Sequence, residues 1–139
     1  MAYSSNKRQQ KAKLRSLGVR SGLEQKMKEY LEERGISFEY EPKDKKVKFV
    51  QPAKDRTYNP DFVLEDGTII ETKGRFDTAD RQKHLLIKAQ HPELVVKFVF
   101  DNSHAKISKR SPTSYADWCD KNGYQWCSFK TGIPEEWFT

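Results

Sequence analysis

The sequence predicts an α/β fold, a mixed β-sheet flanked by helices, and three observations carry that reading. Apolar residues recur at helical spacing in separate stretches, notably around Leu23 to Leu31 and again beyond Asp77. Between them lie short runs that alternate apolar and polar side chains or are continuously apolar, as strands are. Helical and strand-like runs interleave along the chain, which favours a sheet covered by helices over separate helical and strand regions.

Taken in order, the first helix opens at Ser21. Ser21-Gly22-Leu23-Glu24 has capping-box spacing, with the acid three residues after the cap. Leu23, Met27, Tyr30 and Leu31 share one face, and Gly35 stops the helix. Ile36, Phe38 and Tyr40 alternate with polar residues as in a half-buried strand. Residues 41–44 read as a turn and residues 47–50 as a second strand. Residues 51–60, polar and with Pro52 and Pro60 near the ends, read as an extended connection. Residues 61–73 form a β-hairpin around Glu65-Asp66-Gly67. Asp77 or Thr78 caps a second helix that runs to about Gln90, with Ala79, Leu85, Leu86 and Ala89 as its apolar residues and Pro92 beyond its end. Residues 94–100 are apolar except for Lys97, which predicts a buried central strand. A third helix follows Thr113 or Ser114 and ends near Gly123. Residues 124–129 form a last short strand, and residues 134–138 a single helical turn.

A chain of 139 residues predicts one domain. No apolar stretch approaches the length of a membrane span, and no charged-then-apolar N-terminus signals secretion. The expected setting is the cytoplasm, that of a host cell for a phage-encoded chain. Cys119 and Cys127 make no CxxC motif and read as two buried thiols in a reducing compartment. His84, His91 and His104 make no HExxH pair. A metal would therefore sit on carboxylates, which suits a hard ion such as Mg²⁺ or Mn²⁺.

The placement of the net charge of +6 matters more than its size. Lys7, Arg8, Lys11, Lys13, Arg15 and Arg20 all precede the first acid, Glu24, and the remaining 20 basic residues equal the 20 acids. Residues 1–20 thus read as a basic arm ahead of a single domain at 21–139. The arm is either a solubilising tail or a segment that binds nucleic-acid phosphates by counterion release.

The stretch that carries chemistry is Asn59-Pro60-Asp61-Phe62 followed by Ile70-Glu71-Thr72-Lys73-Gly74. A two-residue turn at Asp66-Gly67 would set Asp61 opposite Thr72. A three-residue loop, with Gly67 in the left-handed region, pairs Leu64 with Thr68 and Asp61 with Glu71. The second register gathers Asp61, Glu71 and Lys73 on one face and leaves Phe62, Leu64, Ile70 and Thr72 on the other, so the three-residue loop is favoured. Two carboxylates set opposite each other repel, and a divalent cation between them turns that cost into a binding site. Lys73 adds positive charge beside a scissile phosphate, and Glu24 supplies a further oxygen. Such a set fits metal-assisted phosphodiester hydrolysis, with one ion or with two roughly 3.5–4 Å apart. Taken singly, Glu24 also reads as a helix cap, Asp61 as a turn residue, and Glu71 with Lys73 as a strand ion pair. It is their combination that points to a nuclease.

Further segments agree in order: Ser21-Gly22-Leu23-Glu24, Phe38-Glu39-Tyr40-Glu41, Tyr58-Asn59-Pro60-Asp61-Phe62, Glu71-Thr72-Lys73-Gly74, Lys83-His84-Leu85-Leu86-Ile87, Gln90-His91-Pro92-Glu93-Leu94 and Ser111-Pro112-Thr113-Ser114-Tyr115. On these residues the chain resembles the phage endonuclease I family of Holliday-junction-resolving enzymes, within the Pro-Asp…(Asp/Glu)-x-Lys nuclease superfamily of restriction-endonuclease-like fold. The resemblance implies a domain-swapped homodimer with two composite active sites that cleaves four-way junctions and other branched DNA with Mg²⁺ or Mn²⁺. It implies Asp61 and Glu71 as metal ligands, Glu24 as a second-site ligand, the Thr72 carbonyl facing the metal, and Lys73 as the catalytic lysine. It also implies an inter-lobe bridge at residues 49–60, with Glu24 drawn from one chain and Asp61, Glu71 and Lys73 from the other. The competing readings are a restriction-type endonuclease that cuts duplex DNA and a non-catalytic DNA-binding module.

Overall fold

The structure, a computed structural model, describes residues 22–51 and 54–139. Ser21 and the basic arm with Lys7, Arg8, Lys11, Lys13, Arg15 and Arg20 lie outside the described residues. Helix α1 spans Gly22–Glu33 and ends at Gly35, whose φ of 66° relieves the left-handed stop of a side chain. Strands β1 (Phe38–Tyr40), β2 (Val47–Gln51), β3 (Lys54–Tyr58), β4 (Phe62–Leu64) and β5 (Ile69–Lys73) precede helix α2 (Thr78–Gln90). Strand β6 (Val96–Phe100), helix α3 (Tyr115–Lys121) and strand β7 (Gln125–Ser128) complete the series, and a 3₁₀ turn at Glu135–Phe138 follows.

The main sheet has the order β1–β4–β5–β6–β7, antiparallel from β1 to β5 and parallel from β5 to β7. This is the expected mixed sheet, and helices cover both of its faces. One face sets Phe62, Leu64, Ile70 and Val99 against Met27 and Leu31 of α1 and against Trp137. The other sets Val63, Ile69, Phe98 and Phe100 against Ile87 of α2, Trp118 of α3, and Phe76. The Phe76 ring lies 5.0 Å from Trp118 and 5.2 Å from Phe98, between centroids, so the second face is built largely of aromatic contacts. Cys119 and Cys127 are buried free thiols, as expected. Among the described residues, no helix is long and apolar enough to cross a membrane.

The β4–β5 hairpin takes the three-residue register. Phe62 faces Ile70 and Val63 faces Ile69; the Leu64 N–H donates to Thr68 O at 2.8 Å, and Gly67 has φ 92°. Asp77 and Ser114 cap α2 and α3 through their side chains, the latter in a full capping box.

Three expectations need correction. Residues 51–60 are not only a connection, because β3 pairs with β2 in a separate two-stranded ribbon, Val47 opposite Tyr58 and Phe49 opposite Arg56. Lys54-Asp55-Arg56-Thr57 has no apolar alternation to announce a strand, since the ribbon buries little beyond Phe49 and Tyr58. On α2 the inward side chains are Arg81, His84 and Ile87, at helical spacing, while Leu85 is 39 % exposed and Ala79 and Ala89 face outward. Arg81 is held inward by donating to Phe76 O at 2.6 Å and to Thr78 Oγ1 at 3.0 Å, and His84 by aromatic neighbours. Finally, β6 begins at Val96; Val95 is 48 % exposed and uses its carbonyl to accept the Ile69 N–H.

Candidate active site

The register of three strands brings three acids into a row. Tyr40 pairs with Phe62 and Phe62 with Ile70. One step along, the Glu41 N–H donates to Asp61 O at 3.0 Å, and the Asp61 N–H donates to Glu71 Oε1 at 3.0 Å. Glu41 has φ 44°, the one non-glycine left-handed residue among those described. Backbone strain of this kind concentrates at functional positions, where the surroundings hold it in place. From the opposite direction, the first turn of α1 buries Glu24 against the same end of the sheet. Oxygen atoms of Glu24, Glu41 and Asp61 all lie within 4.8 Å of one another.

Hydrogen bonds fix these groups. Asp61 Oδ2 accepts from the Thr72 N–H at 3.1 Å and from Thr72 Oγ1 at 3.2 Å. Glu71 Oε1 also accepts the Tyr58 hydroxyl, and Glu71 Oε2 lies 3.9 Å from Lys73 Nζ. Lys73 is shared with Asp80 on α2, whose Oδ1 is 3.7 Å away. Glu24, Asp61, Glu71, Thr72 and Lys73 all line one cavity of about 440 Å³, together with Tyr58 and Lys83. A single chain thus brings together every catalytic and metal-binding candidate named from the sequence. Glu71 stands beside the tight trio rather than within it.

Burial pushes the Glu71 carboxyl up to about 8, and the nearby Asp61 charge adds to this, against the pull of Lys73 and two hydrogen bonds. Burial likewise raises Tyr58 and lowers Lys83, the latter helped by Lys73. Like charges crowded into a buried site call for a cation, and an all-oxygen donor set fits a hard divalent ion.

The sequence profile described as Phage endonuclease I matches residues 1–139. The chain belongs to the phage endonuclease I family. Endonuclease I of Escherichia phage T7 is 49 % identical over 125 residues, 89 % of this chain and 81 % of that protein. Endodeoxyribonuclease 1 of Enterobacteria phage T3 is 52 % identical over 104 residues, 75 % of this chain and 67 % of that one.

In this member of the phage endonuclease I family, sequence reasoning missed Glu41, Tyr58, Asp80 and Lys83 as site residues. Glu41 was legible only as a turn residue. The signal that finds it is the alternation of Phe38 and Tyr40, once that strand is paired with β4 and carried one residue further. Tyr58 sits in the stretch read as a connection. Asp80 and Lys83 lie one turn apart on α2 and reach the cavity only through the packing of that helix on the sheet.

Proposed function

We propose that this phage endonuclease I family member is a metal-dependent, structure-selective endonuclease that resolves four-way junctions and other branched DNA. That it is a DNA-cutting hydrolase follows from its family; the choice of substrate and the use of a metal are the proposal. One observation carries the metal: Glu24, Glu41 and Asp61 offer oxygens within 4.8 Å of one another, beside Glu71 and Lys73. Asp61, Glu71 and Glu24, with the Thr72 carbonyl and with Glu41 added by the structure, are the proposed holders of Mg²⁺ or Mn²⁺, one or two ions per site. When bound, the ion would supply Lewis-acid stabilisation of phosphoryl charge and an acidified water.

The chain's own groups do the rest. Thr72 anchors Asp61 through two donors, so that carboxylate cannot swing away as charge builds. Lys73, steadied between Glu71 and Asp80, presents positive charge to the phosphate as water oxygen bonds to phosphorus and the ester P–O bond breaks. The attacking water gives up one proton to solvent or a cavity group, and the departing oxygen takes one from the same sources. Lys83 adds a second cation at the cavity wall.

Resolving a junction takes two cuts, and a two-fold dimer supplies two sites. We propose a homodimer that exchanges lobes across residues 49–60, so that the Glu24–Asp61 contact made here within one chain is made between chains, with residues 1–20 as the arm that contacts DNA phosphates through Lys7, Arg8, Lys11, Lys13, Arg15 and Arg20, and residues 21–139 as the nuclease domain. Exposed apolar residues support an interface on the ribbon side: Val50 is 56 % exposed and Leu85 39 %, and a cavity of about 830 Å³ lies between the ribbon and α2. The expected location is the host cytoplasm.

The test is cleavage of a four-way junction, a three-way junction and a linear duplex, with Mg²⁺ and with chelator. Cutting of the branched substrates alone, only with metal, is the expected result. Equal cutting of linear duplex would favour a restriction-type enzyme, and no cutting of any would leave a binding module.

A further inference from the structure

We infer that Tyr58 is a positioning residue for the reaction: its buried hydroxyl, with the Asp61 N–H, fixes which oxygen Glu71 turns toward a bound cation. The inference rests on the metal-dependent reading above and adds a residue that lies outside the acid and lysine motif. Tyr58 is the last residue of β3, 2 % exposed, so its hydroxyl needs a partner inside the protein. That partner is Glu71 Oε1, which also receives the Asp61 N–H at 3.0 Å. Two donors, one from the end of β3 and one from just ahead of β4, meet on one oxygen. The last torsion of a glutamate side chain is broad and soft when left alone. Here it is pinned, and Oε2 is left on the side of Lys73, 3.9 Å from Nζ.

The ring that carries the hydroxyl is itself held. His84 packs edge-on at 5.3 Å between centroids, and Lys83 Nζ lies 5.6 Å from the ring centre. Neither ring nitrogen of His84 has a hydrogen-bond partner among the described residues. Burial, with Lys73 and Lys83 nearby, holds its pKa well below the usual value. His84 therefore serves as an aromatic wall and leaves the Tyr58 hydroxyl to Glu71. A phenylalanine at 58 would keep these ring contacts and lose only the donor, so hydroxyl and ring can be tested apart.

The experiment compares full-length wild type, Tyr58→Phe and Tyr58→Leu by electron paramagnetic resonance titration of Mn²⁺ without DNA, by melting temperature, and by junction affinity in chelator. Loss of an outer hydrogen-bond partner to a metal ligand weakens binding by about 10–100-fold. That loss is expected equally in both variants, with junction affinity unchanged. Only Tyr58→Leu, which also empties ring volume from the core, should melt well below wild type. Mn²⁺ affinity that follows melting temperature across the three proteins would mean that the residue is merely structural, and so would failure of Tyr58→Phe to fold. Wild-type Mn²⁺ affinity in Tyr58→Phe would overturn the inference while leaving the metal site standing. A wild type that binds no Mn²⁺ would bring down the metal reading itself, and the inference with it.

Discussion

Removing the Glu71 carboxylate tests the electrostatics of the site with metal left out. Burial and Asp61 shift this carboxyl from 4.5 to about 8 in the folded chain. An unfolded chain gives up the proton near 4.5, the folded one only near 8, so between these limits the folded state holds a proton that the unfolded state has released. The group's contribution to stability is therefore complete below pH 4.5 and is lost as the pH rises through about 8. Within that window the slope is about 1.4 kcal/mol per pH unit, which sums to on the order of 5 kcal/mol. Glu71→Gln carries an amide that does not titrate. Urea denaturation of both proteins in chelator, in steps of about one unit from about pH 5 to about pH 9, reads this contribution together with the influence of Glu71 on Asp61, Tyr58 and Lys83. Wild type should lose stability relative to the variant until about pH 8 and then run parallel to it. Since the ligand form of Glu71 is the ionised one, wild-type Mn²⁺ affinity should rise over the same interval. Curves in chelator that stay parallel throughout, or a gap that moves the other way, would refute the account of Glu71.

Five other outcomes are expected. Asp61→Asn should abolish cleavage and leave junction binding in chelator intact, whereas Lys73→Ala should lose cleavage yet keep Mn²⁺ binding, because lysine is no ligand; gel shift and Mn²⁺ titration read the two. Glu24→Gln retains any capping role, since glutamine serves it too, so a fall in rate by orders of magnitude at nearly constant melting temperature marks Glu24 as a ligand, and a silent variant marks it as a cap. Glu24→Gln and Asp61→Asn chains refolded together should give heterodimers with one restored site that nick a junction without resolving it; verified heterodimers that do not nick would exclude the exchange. Deleting residues 2–19 should flatten the dependence of log affinity on log salt, by up to about 0.9 for each DNA phosphate that the arm neutralises, at almost unchanged melting temperature.

The parts of the fold that could be read from sequence are those decided locally. Gly67 permits the left-handed loop that sets the hairpin register, and that register carries Asp61 to Glu71. Asp77 and Ser114 cap their helices with their own side chains. What escaped was decided by partners distant in sequence. Glu41 joins the site because β1 pairs with β4, and no local period reports that pairing. Strand β3 is polar because its ribbon is solvated on most sides. Arg81 and His84 point inward on α2, against their polarity, because a carbonyl, a hydroxyl and a ring cluster receive them, while Leu85 falls off that stripe and Leu86 packs at its margin.

The outer edge of β2 is guarded by two side chains. The primary amide of Gln90 accepts the Val50 N–H and donates to the Val50 carbonyl, both at 2.6 Å, and so counterfeits one rung of a β-ladder. His91 Nε2 meets the Lys48 carbonyl two residues away. A strand edge closed in this way behaves as a latch rather than a seam: a side chain can let go without unfolding anything. While Gln90 is engaged, the ribbon refuses a third strand; released, it offers a ready template to any extended chain at high concentration. Before a third strand can pair along this edge, Gln90 and His91 must first let go.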